Sequence, residues 1–167
     1  MITKVLASKT LTSAAASITF SGISTSYKDL VIITSLKAVT STSPAQFGSL
    51  VLNSNTNNLY IDCYLYGGNA TQAASAGSGS LRDYAAVAIT KSTTTTNHTN
   101  NAIVQIFDYN ATNKWKSIIT ETNDTAQDYY GIIASSFQST SAVTSVLIKH
   151  DTGNLAAGSR VTLMGVA

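Results

Sequence analysis

The sequence predicts an all-β protein, a sandwich or barrel of about ten strands that forms one domain over residues 1–167. Short stretches in which apolar and polar residues alternate with period two recur from end to end of the chain, as in half-buried strands. Ser and Thr fill 46 of the 167 positions, and these residues suit pleated strands and turns. Strong helix formers never recur at helical spacing, and Glu occurs once. A β-sandwich or barrel is the architecture that fits this spacing of short strands.

The first half of the chain contains five predicted strands. They cover residues 5–7, 16–21, 29–36, 49–52 and 59–66. The run 29–36 is almost continuously apolar, which predicts a central strand buried on both faces. Residues 49–52 and 59–66 are expected to pair across a turn-rich connection. We expect loops at 40–45, which holds the single proline, and at 67–80, which is rich in Gly, Ala and Ser and has no periodicity.

The second half contains six more predicted strands. They cover residues 84–89, 103–109, 115–121, 129–137, 143–148 and 160–166. Residues 103–109 and 115–121 flank the turn Asn110–Asn113 and form the clearest hairpin in the sequence. The segments 93–101 and 121–128 are polar and are expected to be a loop and a turn.

The charge and hydrophobicity of the chain argue against several classes of partner and location. The net charge is +2 and the ten basic residues are scattered, so we expect no nucleic-acid partner. No apolar run approaches the roughly 20 residues that span a bilayer, so we expect no membrane partner. The first residues lack a signal-peptide pattern, which favours synthesis in a cytoplasm without secretion. Only 11% of residues are charged, and such a hydroxyl-rich surface suits a protein held in a large assembly.

Candidate catalytic residues are few. His98 and His150 lie far apart and are interpreted as surface residues, because no specific nucleophile and carboxylate accompany them. Cys63 lies within a predicted strand and is interpreted as a small buried packing residue rather than a nucleophile. Nucleotide-binding loops and zinc signatures are absent from the sequence. The sequence therefore predicts no enzyme and no cofactor.

One group of acidic residues is a weak candidate for a calcium site. Glu121, Asp124 and Asp128 occur within eight positions, and calcium takes oxygen ligands from loops. The regular spacing of a calcium-binding loop is missing, so a solvated turn is the favoured interpretation and no metal is predicted.

The aromatic residues are the candidates for an interface or a ligand contact. Aromatic side chains stack on sugars and anchor protein interfaces. Residues 60, 64 and 66 share one parity and so face one side of their strand; that side is either the core, which is favoured, or an exposed aromatic strip. The complete candidate set is Tyr60, Tyr64, Tyr66, Trp115, Tyr129 and Tyr130.

Three segments of the chain resemble a family of small virion proteins of tailed bacteriophages, including phages of cyanobacteria. Residues 10–32, which contain Ser-Ile-Thr-Phe-Ser, resemble the family's opening motif. Residues 140–166, which contain Ala-Ala-Gly-Ser, are similar to its closing motif, and Phe107–Asn110 resembles its central hairpin. Ser24 and Met164 stand where the family often has proline and tyrosine.

The resemblance implies a β-sandwich with jelly-roll character, frequent trimers and no catalytic residues. Members occur as capsid decoration (cement) proteins and as tail- or fibre-associated proteins. We therefore expect a capsid decoration protein on the virion, more readily on the capsid surface than on the tail. Its expected partners are the major capsid protein, other virion proteins and further copies of itself. The alternative is a receptor- or carbohydrate-binding module associated with a tail or fibre.

Overall fold

Twelve strands in two antiparallel sheets make up the part of the chain that the structure describes. The computed structural model describes residues 3–39, 46–68, 71–75, 81–90, 99–124, 129–150 and 153–167. No described residue is helical, so the predicted all-β class is confirmed. The strands are β1 (Thr3–Thr10), β2 (Ser17–Ser21), β3 (Asp29–Leu36), β4 (Gln46–Leu52), β5 (Tyr60–Gly68), β6 (Thr71–Ser75), β7 (Ala85–Thr90), β8 (Asn100–Ile106), β9 (Lys116–Asp124), β10 (Tyr129–Phe137), β11 (Ser145–His150) and β12 (Arg160–Val166).

The strands form a β-sandwich whose connectivity has jelly-roll character. The large sheet has the order β1-β12-β3-β8-β9-β10-β5-β6, and the small sheet has the order β2-β11-β4-β7. Five antiparallel pairs are nested along the chain, namely β1 with β12, β2 with β11, β3 with β8, β4 with β7, and β5 with β6. Successive pairs alternate between the large and the small sheet, so the chain wraps around one interior as in a jelly roll.

The hairpin of β9 and β10 is an insertion into this nested pattern. It lies between β8 and β5 and pairs with both, which widens the large sheet to eight strands. The predicted hairpin around Asn110–Asn113 is confirmed, because β8 and β9 pair in antiparallel register from Ile106 and Ile118 outward. The large sheet is consequently twice as wide as the small sheet that covers it.

The core lies between the two sheets and follows the strand alternation. In β3, Leu30, Ile32 and Leu36 are buried, and Ile33 between them is 40% exposed. The prediction that this strand is buried on both faces is therefore wrong for the single chain, because the small sheet covers only one side of it. Side chains from both sheets fill the interior, including Ile18, Leu50, Leu52, Val104, Ile106, Ile148, Val161 and Leu163.

One close contact at the edge of the core requires a glycine. A Cβ atom placed on Gly165 would lie 2.5–2.8 Å from three ring carbons of Tyr27. Real Cβ contacts are longer than this, so any larger residue at position 165 would have to displace the Tyr27 ring.

Four predictions about connections and pairing need correction. The predicted pair 49–52 and 59–66 does not form, since β4 belongs to the small sheet and β5 to the large sheet. The chain crosses between the sheets in a turn where Asn53, Ser54 and Asn58 have positive φ angles of 54°, 53° and 53°. Asn tolerates this left-handed conformation better than most residues.

The other three corrections concern segments expected to be loops or turns. Within 67–80, β6 pairs with β5, because a run without hydrophobic alternation still forms backbone hydrogen bonds at a sheet edge. Within 121–128, β9 continues as far as Asp124. Likewise, β8 begins at Asn100, inside the expected loop 93–101. Most of that loop, and all of 40–45, lie outside the described residues.

Candidate interface on the large sheet

Two of the predicted contact residues, Tyr60 and Tyr64, are buried between the sheets. This is a correction to the candidate interface set, and it agrees with the core alternative for this aromatic strip. The Tyr60 ring stacks on Phe137 with 4.8 Å between the ring centroids. Its hydroxyl accepts a hydrogen bond from the Leu52 N–H at 2.8 Å and donates to the Leu52 carbonyl at 3.4 Å. Tyr60 therefore joins β5 of the large sheet to β4 of the small sheet.

Burial raises the pKa of Tyr60 to about 12, with the hydrogen bond from the Leu52 N–H acting in the opposite direction. The phenolate is disfavoured because the interior solvates a charge poorly. The hydroxyl thus remains neutral at ordinary pH and serves as a structural donor and acceptor.

A second cluster of polar side chains lies around Tyr64. Its hydroxyl donates to Oδ2 of Asp62 at 3.0 Å, and the guanidinium of Arg82 lies over its ring, 5.7 Å from the centroid. Burial, followed by the nearby charge of Asp62, raises the Tyr64 pKa. The Oδ1 atom of Asp62 and the hydroxyl of Ser135, its cross-strand neighbour, are buried without hydrogen-bond partners among the described residues. This cluster lies inside the sandwich rather than at its surface.

Trp115 and Tyr130 are the members of the predicted set that the structure places on the surface, 56% and 51% exposed. They lie apart, since Trp115 immediately precedes β9 and Tyr130 belongs to β10, opposite Asn123 at the far end of β9. The side chains of Tyr66 and Tyr129 lie outside the described part of the structure. The candidate aromatic set is therefore not one surface.

Trp115 is displayed on a well-supported turn. The Lys116 side chain is fully buried, and its ammonium donates to the carbonyls of Ala111, Lys114 and Ser139 at 2.6, 3.0 and 3.2 Å. Burial, with a smaller contribution from the Lys114 charge, lowers the Lys116 pKa. Three carbonyls held by one cation fix the backbone on both sides of Trp115.

The same turn is tied to the segment between β2 and β3. The Tyr109 hydroxyl donates to the Ser24 carbonyl, and the Asn110 side chain donates to the carbonyls of Thr25 and Tyr27 at 3.1 and 2.8 Å. On the surface of the turn, Lys114 and Asp108 form an ion pair at 2.7 Å. These contacts make the turn a rigid platform for an exposed indole.

The residues considered for metal binding or catalysis do not assemble into a site. Glu121 lies in β9 with an exposed side chain, Asp124 ends that strand, and Asp128 lies outside the described residues. Among the residues that the structure describes, no three His, Cys, Asp or Glu side chains are grouped to hold a metal ion. Two further interpretations are wrong: His150 is buried rather than on the surface, and Cys63 is exposed rather than buried. His98 is not among the described residues.

The most extensive candidate surface is the face of the large sheet turned away from the small sheet, which we call the outer face. The strand register aligns its side chains in rows. One row runs Thr162, Ile33, Ile103, Glu121, Ile132 and Leu65. The next row runs Val5, Met164, Val31, Gln105, Ile119, Ala134 and Cys63.

The outer face is unusually apolar for an uncovered surface. Nine large apolar side chains are exposed among the described residues, and six of them lie on this face, whereas the other three are Val39, Leu81 and Trp115. The six are Val5, Ile33, Leu65, Ile103, Ile119 and Tyr130. Single exposed apolar residues are ordinary, but a contiguous group of them marks an interaction surface.

A shallow groove of about 390 Å³ runs across the outer face over β3, β8 and β9. Ile33 and Ile103 line its floor, and Tyr130 lines one side. Its two charged lining residues are Glu121 in β9 and Arg160 in β12. Neither forms an ion pair with any residue in the described part of the chain.

Sequence reasoning missed this surface, although a signal for it was present. The apolar runs at 30–33, 103–104, 118–119 and 132–133 each supply side chains to both faces of the large sheet. Such runs are typical of strands covered on both sides, whereas the described residues of the chain cover only one side of the large sheet.

Comparisons of the chain with protein-family models, with curated proteins and with solved structures gave no match. The described residues contain no helix that is long and apolar enough to cross a membrane. Fold and surface together define a class: a β-sandwich with jelly-roll character that presents an apolar outer sheet face and a rigid turn bearing an exposed tryptophan.

Proposed function

We propose that the chain is a bacteriophage capsid decoration (cement) protein, which binds as a homotrimer between major capsid subunits and stabilises the head. The observation that carries this proposal is the apolar outer face, because a surface of that kind belongs to a protein that works inside an assembly. The resemblance of residues 10–32 and 140–166 to small virion proteins supports a virion as that assembly. The proposed location is the virion, on the capsid surface, after synthesis in the bacterial host cytoplasm.

The proposed mechanism is passive. A protein that binds the assembled shell and not the free subunits stabilises the shell by mass action. Three linked copies bind with an avidity that exceeds that of one weak site, provided that all three reach their sites together. The nested strand pairs support this role, since a rigid sandwich loses little conformational entropy when it binds.

The proposal gives the chain no catalytic step. Asp62, Tyr64 and His150 are among the buried polar residues, and they lie in the interior. There the Tyr64 hydroxyl donates a hydrogen bond to Asp62 within β5. Three exposed side chains at the groove, Ile33, Ile103 and Tyr130, are suited to bind by apolar contact area.

A binding experiment with heads tests the proposal. Heads assembled without the chain should bind the purified protein saturably, and unassembled major capsid subunits should not. The bound protein should also raise the temperature at which the heads release their DNA. Failure to bind heads, or a map of the particle that locates the chain on the tail, would overturn the capsid proposal.

A tail- or fibre-associated carbohydrate-binding module is the second candidate, and Trp115 is the observation that favours it. An exposed indole on a rigid turn is suited to stacking on a sugar ring. Saturable binding of the isolated protein to a host glycan, lost in Trp115→Ala and kept in the nearby Asn113→Ala variant, would support this candidate. Unchanged head binding by Trp115→Ala would then separate the two functions.

A further inference from the structure

We infer that the outer face of the large sheet is covered by another copy of this chain, with Arg160 of one copy paired to Glu121 of the next. This inference deepens the proposed function by naming the partner of the outer face, and it rests on the chain being a component of an assembly. Its own test uses the isolated protein, without heads, so the two can fail separately.

The first support is the chemistry of the face. Two β-sheets pack face to face about 10 Å apart when their side chains are apolar and of moderate size. The outer face supplies such residues from five neighbouring strands, including Ile33, Ile103 and Ile119. Between them lie small residues such as Ala134, which leave room for the side chains of an opposing sheet.

The second support is the arrangement of charge around the groove. Glu121 and Arg160 are exposed at its two sides, separated by strands β3 and β8. With about 4.8 Å between neighbouring strands, the two positions are roughly 15 Å apart along the sheet. They are too distant to pair within one chain.

Symmetry between two copies can bring Glu121 of one copy next to Arg160 of the other. When two copies present the same groove to each other across a rotation axis, the acidic side of one meets the basic side of the other. A contact between two copies of the same groove is isologous and joins the copies about a two-fold axis, so it is distinct from the contacts that would close the proposed trimer. A groove with one acid and one base at opposite sides is thus complementary to itself.

The β1 edge of the large sheet is less suited to self-association than the outer face. The β1 edge carries Lys4 and Lys9, and its register shifts between Val5 and Ala7. Lysines and bulges on an edge strand oppose pairing with a second strand. Association through the face is therefore favoured over association through this edge.

Charge reversal tests the inference. Sedimentation velocity of the wild-type protein should show a concentration-dependent oligomer. We expect Glu121→Arg and Arg160→Glu each to raise the dissociation constant by about tenfold or more, because each places like charges in contact. The double variant Glu121→Arg/Arg160→Glu should restore association. Lys9→Glu, a matched reversal at the β1 edge, should leave association unchanged.

Mixing the two single variants gives an independent readout. Glu121→Arg chains and Arg160→Glu chains should associate with each other more strongly than either does with itself, as only the mixture restores opposite charges. Circular dichroism of each variant reports whether it is folded, and both positions are exposed. A monomeric wild-type protein at high micromolar concentration, or a double variant no better than the singles, would overturn the inference. Head binding measured alongside would still report on the proposed function.

Discussion

The two faces of the large sheet are built from the same strands, but the inner face is buried and the outer face is exposed. On the inner face, side chains such as Ile32 and Val104 pack against the small sheet and are fully buried. On the outer face, their immediate neighbours Ile33 and Ile103 are just as apolar and remain exposed. One sequence pattern thus serves two purposes: the inner face stabilises the fold of one chain, and the outer face is available to bind a partner.

Replacing neighbouring isoleucines of β3 should show this difference most strongly. We expect Ile32→Ala to lower the free energy of unfolding by about 2–5 kcal/mol, because it leaves a cavity in a filled core. Ile33→Ala should cost well under about 1 kcal/mol in the monomer, because much of that side chain already contacts water. Urea unfolding at one low protein concentration measures both. Equal losses would show that the outer face is part of the folding core.

The next largest loss of stability is expected from replacing Lys116, whose ammonium group is buried. Lys116→Met keeps the aliphatic volume and removes the donor to three carbonyls, so we expect a loss of roughly 2–3 kcal/mol. Lys114→Met, its exposed neighbour, is the control and should change stability little. If both variants unfold like wild type, Lys116 does not hold the turn that presents Trp115.

Gly165→Ala tests how tightly the inner face is filled at its edge. The new Cβ would collide with the Tyr27 ring, and we expect a loss of about 1–3 kcal/mol. Tyr27→Leu should tolerate the alanine better, so the double variant should lose less than the sum of the two single losses. Additive losses would indicate that the ring moves away at no cost.

The boundaries of three strands were predictable from the sequence. Residues 29–36, 129–137 and 160–166 were predicted with the bounds of β3, β10 and β12. The strand β6 was missed because Thr-Gln-Ala-Ala-Ser offers no apolar alternation, and its pairing depends on the neighbouring β5 edge. Which sheet β4 and β5 join was also beyond the sequence, since that depends on the turn between them and on contacts distant in the chain.

The alternation of side chains between the two faces of a strand explains the errors at the candidate site. Tyr60 and Tyr64 point inward, so Asp62 must point inward with them and Cys63 must point outward. The interpretation of Cys63 as buried was incompatible with a core position for the tyrosines in a sheet covered on one side. Glu121 and Arg160 were not found as a pair because they are 39 positions apart and meet at one groove only through the order of the strands.

Tyr60→Phe should give the smallest loss and a distinctive pH dependence. Removing the hydroxyl leaves the Leu52 N–H without its acceptor, so we expect a loss of about 1–2 kcal/mol at neutral pH. The folded-state pKa of Tyr60 is about 12, above the ordinary value of 10. Its contribution to stability is therefore complete below pH 10 and is lost as the pH rises from 10 to 12. The stability difference between wild type and Tyr60→Phe should shrink over that range, and a constant difference would contradict this pKa.

The central claim, that the outer face is covered in the assembled state, is tested most directly by labelling a thiol placed there. In a Cys63→Ser background, Ile103→Cys should react with a maleimide rapidly in dilute solution and at least about tenfold more slowly once the protein is concentrated enough to associate, because reaction requires access to the thiol. Lys9→Cys, at the β1 edge, should react at the same rate in both conditions. A labelling rate at position 103 that stays constant as oligomers form would contradict the account.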